Sequence, residues 1–210
     1  LRSKQQTLRC GLVSIQMKAH GFMLWADIPM EQEALALKAV ADSQANLGDY
    51  CPYIARSCHA GVLAITGSAA SIEALHNEIE GLFTAPPKAR KGSRKNKGTF
   101  LWEAFSIALT LSPVQSHRWK QDLEWLFGRR NDLMHFKATT QTPVPHLVLP
   151  TYVGPEHVKY SAQAAKRAVD LCLEVMSAAI AQPRSTGVAG WGTPMRHVPP
   201  DLTAHRGITP

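Results

Sequence analysis

Apolar residues recur every three to four positions through most of the middle of the chain, which predicts helices that each bury one face. Asp27, Pro29 and Glu31 read as a helix start, and a helix follows from about Pro29 to Leu47. Leu35, Ala39 and Val40 are its expected inner face, and Gly48-Asp49 closes it. The longest apolar helix runs from Ile54 to Phe83, with Val62, Ile65, Ala69, Ile72, Leu75 and Ile79 inward and a bend or close packing at Gly67. Thr99 is the expected cap of a third helix that places Phe100, Leu101, Phe105, Ala108 and Leu109 on one side and stops at Ser112-Pro113. A fourth covers Trp119 to Lys137, with Ser116 as its cap, and a fifth runs from Ala162 to about Ala181 behind Ser161.

The remaining segments break this period. Val13, Ile15, Met17 and Ala19 alternate with polar residues, a strand pattern that pairs with Phe22 to Ala26 as a small hairpin or stands as an irregular arm. Residues 137–160 carry Pro143, Pro145, Pro150, Gly154 and Pro155, and read as an extended connection. The expected architecture is therefore all-α, an antiparallel bundle of about four to five helices. Residues 1–28 form an arm or hairpin, 29–181 the helical domain and 182–210 a Pro/Gly-rich tail.

The fourth helix holds the candidate chemistry. Trp119, Leu123, Leu126, Phe127, Leu133 and Met134 form its apolar stripe, and Arg130 lies roughly 20° from Trp119 around the axis, inside that stripe. A charge in a buried stripe needs a partner or a cleft. Glu124, Gly128, Asn131 and His135 form a line along the stripe's edge. Arg130 and His135 are about 140° apart on an ideal helix, so spacing alone does not join them. Glu73 and Asn77 share a face of the second helix; they either reach across to orient the Arg130 helix or form a solvated edge.

Composition adds one feature. The chain is 45% hydrophobic and 19% charged, and its net charge is +7. Lys88, Arg90, Lys91, Arg94, Lys95 and Lys97 lie in the 86–98 loop without an acidic residue and nearly account for that excess. The loop is either a phosphate-attracting arm or a solvated insertion; it has no aromatic residue for base stacking. Cys10, Cys51, Cys58 and Cys172 lack the paired spacing of a zinc site and read as reduced thiols. No metal and no cofactor is expected. No uninterrupted apolar run has membrane-span length and no secretory pattern opens the chain, so the expected setting is cytoplasmic, with no membrane partner.

Arg130-Asn131-Asp132-Leu133-Met134-His135 resembles the Arg-polar-x-x-x-His motif of HEPN domains, the "higher eukaryotes and prokaryotes nucleotide-binding" family. Ser71 to Glu78 is similar to the corresponding helix of a bacterial subgroup, as is Tyr160-Ser161 before an Ala-rich helix. The resemblance spans about 53–181 and is weak outside the motif. It implies a metal-independent ribonuclease, often a toxin or defence effector with a neutralising antitoxin, acting on RNA as a homodimer whose two motifs face one cleft. Arg130, Asn131 and His135 would then be catalytic, with Glu73, Asn77 and Glu124 supporting. Histidine suits proton transfer and a guanidinium suits phosphorane charge. The rival reading is a non-catalytic module binding nucleotide, RNA or protein. That module would use the same cleft; separately, a purely structural role for the motif has Arg130 pair with Glu73, Glu103 or another buried acid to lock helices, and His135 cap the helix C-terminus. A DNA-binding regulator has little support, because no helix-turn-helix pattern stands out.

Overall fold

A computed structural model describes residues 26–45, 51–80, 96–135 and 141–181. Residues 1–25 of the expected N-terminal arm, Lys88, Arg90, Lys91, Arg94 and Lys95 of the basic loop, and the tail lie outside the described residues, whereas residues 26–28, expected in the arm, are helical. The described chain is an all-α bundle with one two-stranded ribbon. Helix α1 occupies 26–45, α2 Cys51–Glu80, α3 Lys97–Ala108 and α4 Pro113–Met134. Strands β1 (Val144–Pro145) and β2 (Tyr152–Val153) pair antiparallel, and α5 (Pro155–Lys159) and α6 (Ala162–Ala181) complete the order.

The core follows the apolar periodicity. Ile65, Ala69, Ile72, Leu75 and Ile79 of α2 are buried, as are Leu101 and Phe105 of α3, Trp119, Leu123, Leu126 and Phe127 of α4, and Ala168, Cys172 and Val175 of α6. Phe105 meets Trp119 edge-on at 6.3 Å between ring centroids, a favoured aromatic geometry. Val40, Val62, Phe100 and Leu133 are only partly buried, and two expected core residues are exposed. Leu35 is 53% exposed, because α1 packs through Ala36 and Ala39 instead. Met134 is 70% exposed, because α4 ends there and the stripe has no neighbour left to cover it.

Close approach of backbones sets the geometry. A Cβ on Gly61 would overlap the Tyr160 carbonyl, so only glycine lets the α5–α6 junction rest on α2. Ala60 and Ala64 meet Ala162 and Ala165 beside it, and Cys172 reaches Ser71 farther along, so α2 and α6 run in the same direction. α3 runs against α4: a Cβ on Gly98 would overlap Leu123 carbonyl oxygen, and Trp102 Nε1 donates to Ser116 Oγ at 3.0 Å. α4 is antiparallel to α6. Arg167 donates to Asp122 at 2.6 and 3.0 Å and lies 4.3 Å over the Trp125 ring, while Glu174 accepts from Trp119 Nε1 at 2.9 Å and pairs with Arg118.

Helix limits depart from the expected ones in several places, and α1 already opens at residue 26 rather than Pro29. α2 is one continuous helix that already starts at Cys51, because Pro52 sits in its first turn, where a missing N–H costs nothing. Asn96 rather than Thr99 caps α3, its side chain accepting from Gly98 N at 3.0 Å. Ser112 rather than Ser116 caps α4, accepting from Gln115 N at 3.2 Å with Pro113 at the first helical position. The segment expected to be extended throughout contains α5, with Pro155 at its start and Glu156 in its first turn. One described helix, α2, has a window apolar enough to cross a membrane (mean hydropathy 1.2), and 61% of that window is buried inside the bundle.

Candidate functional site

The C-terminal end of α4 forms one wall of a cleft. His135 is the residue on which the helix closes, its backbone N–H still donating to the Asn131 carbonyl at 3.0 Å. Its φ of −116° and ψ of 27° turn the chain out of the helix and leave the imidazole exposed. One turn back, Asn131 lies on the same face. Together they line a cleft of about 310 Å³ with Asp132, Gln141, Glu156, Lys159 and Tyr160. That volume is at the lower end of the range for small-molecule sites.

α5 supplies the opposite wall. Glu156, Lys159 and Tyr160 fall at i, i+3 and i+4, so one short helix turns all three the same way. Tyr160 is 3% exposed and forms the floor. Its hydroxyl lies 3.4 Å from the Arg129 carbonyl, to which it donates, and this ties α5 to α4. Burial, and then the Asp132 carboxylate, push the Tyr160 phenol above its ordinary value of 10, while Arg129 acts the other way. The phenol is therefore a standing donor. Asp132 is held by Arg129 at 3.8 Å. The Glu156 carboxylate folds back over Gly154, into the space a Cβ there would need.

Arg130 is not in this cleft. The rotation that puts it near Trp119 aims it at α2, where its guanidinium donates to Glu73 Oε1 at 3.2 Å. Lys97 of α3 reaches the same oxygen at 3.6 Å. The guanidinium also lies 5.8 Å over Phe127, and the Lys97 ammonium 5.3 Å over Phe100. Glu73 thus joins α2, α3 and α4 through two cations. Of the groups expected to support the site, Glu73 holds Arg130 but Asn77 does not. Asn77 is exposed, with Oδ1 3.4 Å from His76 Nδ1. Glu124 also lies outside the cleft: it accepts from Thr99 Oγ at 2.8 Å and fastens α3 to α4. Among the described residues, no atom beyond its chain neighbours and its own helix backbone lies within 4 Å of the position a Gly128 Cβ would take.

Lys159, Tyr160, Glu156 and Gln141 were not singled out as site residues by sequence reasoning. The signal for three of them was present: Gly154-Pro155-Glu156 is a helix start, and a helix from there aligns Glu156, Lys159 and Tyr160. Beneath this wall, Cys58 Sγ is 4.0 Å from the Glu156 carbonyl. Burial and the Glu156 charge raise that thiol to about 11. In the ribbon, His146 Nδ1 accepts from the backbone N–H of Val148 at 3.2 Å and of Leu149 at 3.0 Å. Burial and His157 lower the His146 pKa. Among the described residues no three of His, Cys, Asp and Glu converge to hold a metal ion. Compared with protein-family models, curated proteins and solved structures, the chain matches none of them.

Proposed function

We propose that this is a HEPN-like helical protein of the cytoplasm that cleaves RNA without a metal, at the cleft formed by α4 and α5. The observation that carries the reading is the grouping of His135 and Asn131 with Lys159 and the buried Tyr160 around one nucleotide-sized recess. In the reaction a ribose 2′-hydroxyl attacks the adjacent phosphorus. His135 takes the hydroxyl proton, a P–O bond to the next 5′-oxygen breaks, and a protonated group delivers a proton to that leaving oxygen. The products are a 2′,3′-cyclic phosphate and a free 5′-hydroxyl. Asn131 and Tyr160 supply hydrogen bonds to the ribose or the phosphate oxygens. His135 stands exposed at the cleft rim, and a second copy of the chain placing its own His135 opposite would provide the acid. In this reading the protein is a homodimer and a toxin or defence effector, with RNA as target and an antitoxin as partner.

A second reading is favoured by one specific observation. Arg130, the cation of the motif, is engaged by Glu73 outside the cleft. A domain that binds nucleotide or RNA without cutting it needs only the recess. The two readings separate on cleavage of RNA in EDTA by wild type, Arg130→Ala and His135→Ala. The nuclease reading expects cleavage that survives chelation and disappears with His135→Ala. Well-folded wild type that leaves mixed cellular RNA intact would refute it in favour of the binding module.

A further inference from the structure

We propose that Lys159 is the phosphate-binding cation of the His135 cleft, and that Arg130 is a helix clasp without a ligand. This deepens the nucleotide-site reading of the cleft and rests on it. A phosphate drawn from water into a recess needs a positive group there. Among the described lining residues, Lys159 is the permanently cationic one; Asp132 and Glu156 are acids. Two acids beside one lysine would ordinarily consume its charge. Here neither does. Asp132 is turned to Arg129, and the Glu156 carboxylate is folded back over Gly154. Among the described residues Lys159 makes no ion pair, though it is half-buried. Both acids still line the cleft, but among the described residues neither pairs with Lys159, and the ammonium is left for an incoming anion.

The lysine is also fixed in place. Tyr160, the next residue, hydrogen-bonds to the Arg129 carbonyl, and the Tyr160 carbonyl lies against Gly61. The backbone carrying Lys159 is therefore held against both α4 and α2. Arg130 has no comparable route. It faces about 140° away from His135 around an ideal helix, and must leave Glu73 before turning.

The test is a titration of inorganic phosphate and of uridine 3′-monophosphate into the full chain, followed by the NMR signals of the His135 ring. Wild type is expected to bind both and shift those signals. Lys159→Gln should weaken binding about tenfold or more, as loss of a charged hydrogen bond does. Lys159→Arg should stay within about threefold, since the charge is kept. Arg130→Gln should also stay within about threefold, as should Arg130→Met, which removes the guanidinium while keeping an apolar stem beside Phe127. Phosphate binding that ignores Lys159→Gln overturns the inference, as does the absence of any phosphate-induced shift at His135. RNA cleavage by the same proteins separates the two ideas. Lys159-dependent phosphate binding without cleavage refutes the nuclease reading alone. Cleavage by Lys159→Gln at the wild-type rate refutes the inference alone.

Discussion

Replacing Glu73 with glutamine removes the one carboxylate that Lys97 and Arg130 share, at 3.6 and 3.2 Å. The side chains are 24% exposed for Glu73, 33% for Arg130 and 40% for Lys97, so water screens the cluster only in part. With an effective dielectric constant of about 40–80, each contact has a gross attraction of about 1–2.5 kcal/mol. Side-chain entropy and partial solvation reduce each to about 1 kcal/mol or less. Glu73→Gln loses both contacts and leaves two cations facing one another, so it should cost about 1.5–2.5 kcal/mol, or about 4–8 °C in Tm for a chain of this size. Arg130→Gln loses one contact, and the carboxylate keeps Lys97. Its expected cost is about 0.5–1 kcal/mol. The assay is urea and thermal unfolding of both variants and wild type at low salt and at 1 M NaCl, where the screening length falls to about 3 Å. The gap between the variants should shrink at high salt. The shared-carboxylate argument fails if Arg130→Gln costs as much as Glu73→Gln, or if salt leaves the gap untouched.

Two glycines should respond in opposite directions to alanine: Gly61→Ala, whose Cβ meets backbone, should destabilise by about 3 kcal/mol or more. Gly128→Ala, whose Cβ meets nothing within 4 Å, should stabilise by about 1 kcal/mol in the same denaturant melts. Alkylation at pH 8 followed by peptide mass mapping should label exposed Cys51 well before Cys58 and Cys172, whose thiols burial raises to about 11 and about 12. His146 should titrate below its ordinary 6.5 by NMR, because burial and then the neighbouring His157 disfavour its charged form. Since the folded value is the lower one, its contribution to stability is complete above pH 6.5 and is lost as pH falls through the folded value. His146→Ala should remove that acid sensitivity of the ribbon.

The helical framework was legible because burial and period coincide. The inward residues of α6, from Ala165 to Ala179, are all buried, and Arg130 points where its place beside Trp119 requires. Where helices begin was less legible, because several residues compete as caps. Thr99 and Ser116 are good cap types, but Asn96 and Ser112 lie earlier and precede the turns that actually form. The site was half legible. Asn131 and His135 are neighbours by spacing alone, whereas Lys159 and Tyr160 join them through a tertiary contact that depends on Gly61 and on the Arg129 carbonyl. No local pattern encodes such a contact. The motif also obscured a distinction: Arg130 and His135 are close in sequence, yet the helix sends them to different surroundings.

The pairing of α2 with α6 bears on how the chain is made. Ala60 and Ala64 wait for Ala162 and Ala165, roughly a hundred residues downstream, so this interface carries a high loop-closure cost. The α3–α4 hairpin is local and should form first, acting as a platform. During synthesis α2, the longest described helix, leaves the ribosome long before its main cover exists. A chain arrested before Ala162 therefore presents an uncovered oily face to chaperones and to other nascent chains, which makes translation speed between α4 and α6 a determinant of yield.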